Sequence, residues 1–141
     1  MKTFSHLSNK SDLLLTASRY LHDMGFYPAV AHSSYYSCYQ KLKHIWLYDM
    51  RKTESELASQ KGNSYRIGSH NFLINEIYSH LKLNCDHRDY RTFYTSILSL
   101  KKLRVKADYE DSLFDYNDSE KSRLLCHTIL SILKSNNYEK H

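Results

Sequence analysis

The residues of this chain that could do chemistry are concentrated in Leu103-Arg104-Val105-Lys106-Ala107-Asp108-Tyr109, followed by the acidic pair Glu110-Asp111. A guanidinium, a carboxylate and a phenol fall within six positions. Arginine presents a planar fork of donors that grips a phosphate through two oxygens, and tyrosine can hydrogen-bond to a nucleotide or stack on a base. The same residues have a plainer reading, in which Arg104 holds Asp108 or Asp111 in an internal salt bridge and fixes a loop. Lys101, Lys102 and Lys106 add cations that would draw a phosphate or a nucleotide. Cations in the last turn of a helix are also favourable against the helix dipole, so they have a structural reason too. Both readings stay open on the sequence alone.

Phe93, Ile97 and Leu100 precede the motif at spacings of four and three, which marks one face of a helix. Asp108, Asp111, Asp115, Asn117 and Asp118 then leave that periodicity, so the motif is expected at a helix-to-loop junction. Three glycines and one proline in 141 residues are too few turn signals for an all-β chain. The expectation is an all-α domain over 1–141 with a core of about 10–135. The first helix would be capped by Asn9 or Ser11, bury Leu13, Leu14, Ala17, Tyr20, Leu21 and Met24, and stop at Gly25. Pro28 would open the second. Its stripe is Ala31, Tyr35, Cys38, Leu42, Ile45 and Trp46, with His32, Gln40, Lys41, Lys43 and His44 on the other side. Small residues at 31, 33, 34 and 37 would let another backbone come close.

The polar stretch 51–68 is expected as an exposed connection with a short helix around Glu54–Ala58. Ser69 would cap the third helix, with Phe72, Leu73, Ile77 and Leu81 inward, and Asp89 would open the fourth. The last helix would start at Asn117 or Asp118, with Glu120 completing a capping box, and bury Leu124, Leu125, Thr128, Ile129, Ile132 and Leu133. Residues 1–10 and 135–141 are expected to be loose.

The net charge of +5 and a pI near 9.0 permit a nucleic-acid partner without requiring one. Thirteen tyrosines are many for this length, and packing is their first use. Cys38, Cys85 and Cys126 are odd in number and far apart, so reduced thiols are expected. His6, His22, His32, His44, His80, His87, His127 and His141 are scattered, most of them expected at the surface. No metal ligand set and no cofactor follow from these spacings. No leader or membrane span is legible, and a cytoplasmic location is expected.

Three pieces in order resemble the HEPN (higher eukaryotes and prokaryotes nucleotide-binding) family. They are AVAHSSYYSCYQKLKHI at 29–45, Gly68-Ser69-His70 ahead of Phe72 and Leu73, and LRVKADYED, similar to that family's R-x-x-A-D-Y form. The resemblance spans roughly residues 10–135. It implies an up-and-down bundle of four to five helices that forms a homodimer, with Arg-bearing helix ends facing across a cleft. It also implies RNA or a nucleotide as ligand. Many such proteins are metal-independent RNases of toxin–antitoxin or defence systems, some paired with a nucleotidyltransferase-like antitoxin. Their motif places His four to six residues after Arg. Here Tyr109 stands five after Arg104, and a phenol with an ordinary pKa near 10 is a poor base at neutral pH. Asp108 could accept the proton instead, or His70 could approach from the third helix, unless that histidine is a helix-entry residue bonded to backbone. Two functions follow: a divergent RNase using Arg104, Asp108, Tyr109 and His70, or a non-catalytic HEPN module that binds a nucleotide or a partner protein. In the second, Arg104 should be locked by its own chain; in the first, it should point freely into a shared cleft.

Overall fold

The computed structural model describes residues 5–63, 68–136 and 138, and all regular structure among them is helical. The helices are α1 (His6–Asp23), α2 (Tyr27–His44), α3 (Glu54–Asn63), α4 (Ser69–Asn84), α5 (His87–Tyr109) and α6 (Tyr116–Ser135). A π-helical turn, Ile45–Asp49, prolongs α2. The described residues thus form an all-α bundle of six helices, with α3 the element foreshadowed as a short helix in the connection. Expectations for residues 1–4, 64–67, 137 and 139–141 lie outside the described residues.

Helix α2 is the hub. Its predicted stripe is inside, with Ala31, Tyr35, Cys38, Leu42 and Ile45 fully buried and Trp46 nearly so. Leu73, Ile77 and Leu81 of α4, Phe93, Ile97 and Leu100 of α5, and Ile129 and Leu133 of α6 close the same core. The opposite side of α2 departs from expectation, because Lys41 and His44 are buried as well. Helix α1 covers that side. Lys41 Nζ donates to Ser8 Oγ at 2.8 Å, and His44 Nδ1 shares a 2.6 Å hydrogen bond with Ser5 Oγ. Farther along, Ser11 Oγ donates to Ser37 O and Ser37 Oγ to Ser11 O, both at 2.7 Å. This reciprocal pair satisfies buried hydroxyls and brings two backbones together through small side chains, as the serines at 33, 34 and 37 suggested.

That serine seam rotates α1 away from the stripe read in its sequence. Its buried residues are Ser11, Ser18 and His22, whereas Leu13, Tyr20 and Met24 are exposed. The cap also moves. Ser5, not Asn9 or Ser11, accepts the backbone N–H of Ser8. Similar shifts occur elsewhere. Gly68, at φ +82, is the N-cap of α4, so Ser69 is its first helical residue. Asp86 caps α5 by accepting the N–H of Asp89. In α6 the capping box is Asp115 with Asp118, not Asn117 or Asp118 with Glu120. Its stripe also loses Leu124, which is exposed.

Burial pushes the Asp118 carboxyl up, but the Asp115 backbone N–H and Lys106 outweigh it and hold the group below its ordinary 3.8. A depressed carboxylate contributes stability above its unfolded value and loses it as pH falls through the folded one. Asp118→Asn is therefore expected to lower unfolding free energy by about 1 kcal/mol at neutral pH, and by much less at about pH 2. Urea titrations at the two pH values check this.

Consecutive helices α1/α2, α4/α5 and α5/α6 run antiparallel, as do α2 and α5. Contacts Tyr36–Arg104 and His32–Asp108 join α2 to α5, and Lys106–Asp118 and Asp89–Asn136 join α5 to α6. The last turns of α5 are thereby laid against the first half of α2. No helix among the described residues is long and apolar enough to cross a membrane.

Candidate anion-binding site on Arg104

Helix α5 continues through the whole motif and ends at Tyr109, so Arg104 and Asp108 stand one turn apart on one face. The helix-to-loop junction falls after the motif. Arg104 is enclosed, its side chain 13% exposed. Its Nη2 donates to Tyr36 Oη at 2.9 Å and to Tyr109 Oη at 3.3 Å. Its Nε lies 3.0 Å from Asp108 Oδ2, an ion pair, although the N–H is not aimed well enough to form a hydrogen bond. The guanidinium carbon sits 5.2 Å from the ring centres of both Tyr36 and Tyr109 and 5.9 Å from Tyr35. Cation–π attraction and three oxygen partners hold the fork in one orientation.

Asp108 has a second partner. His32 Nδ1 lies 2.9 Å from the same Oδ2, and the imidazole is half-exposed and packs 4.8 Å from the Tyr36 ring. His32 and Tyr36 are four apart on α2, facing Asp108 and Arg104, which are four apart on the antiparallel α5. Spacing alone picks out each pair, but only the packing of α2 on α5 puts them together. His32 is exposed, as a scattered surface histidine would be, and nothing in the sequence marks it or Tyr36 as a partner of the motif.

The other sequence candidates divide. His70 reaches the cluster through an intermediary: its Nδ1 shares a 2.8 Å hydrogen bond with Tyr35 Oη, and its ring stacks 4.2 Å from Tyr39. His70 therefore has a side-chain partner on α2. Burial, with Tyr39 and Tyr36 adding, drives the Tyr35 phenol far above its ordinary value against the opposing pull of Arg104, so Tyr35 stays a neutral hydroxyl. Burial raises Tyr39 as well. Tyr109 is on the site and exposed. Asp111 is exposed and has no bond to Arg104.

The lysines do not form one patch. Lys101 donates to Asn71 Oδ1 of α4 at 2.5 Å, and burial together with Arg104 lowers its pKa. Lys102 is exposed on a shallow groove with Lys101, Leu98 and Val105. Lys106 faces α6, 3.3 Å from Asp118 and over the Phe114 ring. Of the three, Lys101 feels the Arg104 charge.

The arrangement can hold an anion against a preorientated guanidinium, with an exposed phenol ring and an exposed imidazole at its rim. Compared with known proteins, the chain matches no family model, no curated protein and no solved structure.

Proposed function

We propose that this chain is a HEPN-like helical module whose Arg104 cluster receives a phosphate of RNA or of a nucleotide, as a binding site more than as a ribonuclease of the usual Arg–His kind. The observation that carries this is the state of Arg104: one carboxylate, shared with His32, and two phenols of its own chain hold the guanidinium in place. A fork fixed in this way is suited to positioning a phosphate and is not a free group in an open cleft. The order of the resembling segments, the basic balance of the chain and the exposed Tyr109 ring support the same reading.

One observation favours the catalytic version. His32, oriented by Asp108, is a group able to transfer a proton, although it comes from α2 instead of following Arg104 in sequence. End-labelled RNA incubated in EDTA with the wild type and with Arg104→Ala, read both for retention and for cleavage, tests the two together. Retention that depends on Arg104 supports the site, and Arg104-dependent cleavage moves it into the ribonuclease class. Equal retention by both proteins removes the proposal.

The same reading takes the protein to be a homodimer, with a nucleotidyltransferase-like antitoxin as a further partner. Its support is the face that α1 leaves uncovered, where Leu13, Tyr20, Met24 and Phe26 are more than half exposed. Light scattering behind size exclusion is expected to give twice the 16.8 kDa chain mass. Leu13→Asp with Met24→Asp should return it to a monomer. A wild-type monomer at micromolar concentration would remove the dimer from the proposal.

A further inference from the structure

Helices α1 and α6 meet at His22, which contacts Tyr116, Ser119 and Glu120, and between them lies a cleft of about 330 Å³. Leu15, Ser18 and Arg19 of α1 and Glu120, Arg123, Leu124 and His127 of α6 line it. None of these belongs to the Arg104 cluster. Ser18 is buried and spends its hydroxyl proton on Leu15 O, 2.7 Å away. The polar character of the cleft therefore comes from its charged groups.

Those charges do not cancel. Glu120 is the one carboxylate in the lining, and it is engaged twice. The buried His22 presents Nε2 to Glu120 Oε2 at 3.0 Å, and Arg123 Nη1 reaches the same oxygen at 3.5 Å. His22 is itself fixed by a 2.7 Å hydrogen bond shared between its Nδ1 and the buried Ser119 Oγ. Glu120 is thus tied to the bundle and steadies Arg123 at the cleft wall. Arg19 and His127 face the cleft from opposite helices with no ion-pair partner among the described residues. Two guanidinium forks and an imidazole share one concavity whose carboxylate is already used.

We propose that this cleft binds a phosphate monoester carrying a flat apolar body, a mononucleotide being the simplest member. Arginine forks on opposite walls match the tetrahedral oxygens of a terminal phosphate, which two or more N–H groups can grip together. The exposed side chains of Leu15 and Leu124, on opposite walls, supply an apolar surface for a base. The volume is at the lower end of what small-molecule sites offer, about 300–1,000 Å³, which favours one nucleotide over an oligomer.

The test is calorimetric titration of the full chain with 5′-AMP, with adenosine as the control lacking phosphate. It is run on the wild type, on Arg19→Gln with Arg123→Gln, on His127→Ala and on Arg104→Ala. Arg19 and His127 are exposed, and Gln at 123 can still hydrogen-bond to Glu120, so these variants should fold, as circular dichroism would verify. The expected result is saturable 5′-AMP binding that weakens at least tenfold in the double arginine variant, weakens in His127→Ala, and weakens less in Arg104→Ala than in the double variant. Loss in Arg104→Ala with the double variant unaffected would send the nucleotide to the other site and overturn the proposal. Equal binding of adenosine, or no saturation by 5′-AMP at millimolar concentration, would overturn it too.

Discussion

Arg104→Ala is expected to weaken retention of RNA roughly 30- to 150-fold, the equivalent of about 2–3 kcal/mol for hydrogen bonds to a charged group. The size of the effect follows from how the fork is held. A guanidinium already oriented by Tyr36, Tyr109 and Asp108 loses little side-chain entropy when it meets a phosphate, so most of the interaction appears as affinity. The substitution also leaves Tyr36 Oη and Asp108 without their arginine, and stability should fall by about 1–2 kcal/mol. Because the side chain is enclosed, a binding loss must be separated from unfolding by a thermal melt of each variant. Arg104→Lys makes the separation sharper. It keeps one positive charge but not the planar fork, and it should recover only part of the affinity, leaving it about tenfold below wild type. Full recovery by lysine would mean that a point charge suffices, and the geometry argued for Arg104 would fail.

The parts of this fold legible in the sequence are those decided by local periodicity. The α2 stripe from Ala31 to Trp46 and the inward residues of α4 and α5 are buried as their three- and four-residue spacings require. Helix α1 departs from its hydrophobic pattern because its interface is made by hydroxyls. Ser11 and Ser37 meet by exchanging hydrogen bonds, which no hydrophobic pattern reveals, and the leucines that looked like a core face point partly to solvent. Capping residues shifted by a few positions for a related reason. Ser, Asp and Asn recur near the starts of α1, α4, α5 and α6, and the side chain that reaches the right N–H is chosen by the angle at which the chain enters.

The site was half legible. Arg104, Asp108 and Tyr109 are neighbours on one helix, so their grouping is local and could be read directly. His32 and Tyr36 lie 76 and 68 residues away from Asp108 and Arg104, and their place depends on the register of α2 against α5. A histidine sought close behind Arg104 in sequence is met instead from the facing helix. The lysines failed for the same reason in reverse. Neighbours in sequence at 101, 102 and 106 are spread round a helix, so they face α4, solvent and α6 and do not make one patch.

His32→Ala separates the two versions of the function, because it should leave Arg104-dependent retention of RNA within a few-fold while removing any cleavage the wild type shows. In the catalytic version Asp108 accepts the Nδ1 proton of His32, which leaves the Nε2 lone pair on a half-exposed ring. Nε2 then takes the proton of a ribose 2′-hydroxyl as its oxygen attacks phosphorus. The bond to the 5′-oxygen breaks, that oxygen takes a proton from water, and a 2′,3′-cyclic phosphate remains. Loss of such a base costs roughly 10²- to 10⁴-fold in rate. Asp108→Asn should reduce cleavage as well, because it disturbs the imidazole's orientation, but it also unsettles Arg104 and must lower retention, which His32→Ala should not. Retention by the wild type without cleavage, unchanged in His32→Ala, would assign His32 to holding Asp108 and leave the chain a binding module. Cleavage equal in wild type and His32→Ala would place the chemistry elsewhere, whatever the distance between the imidazole and Asp108.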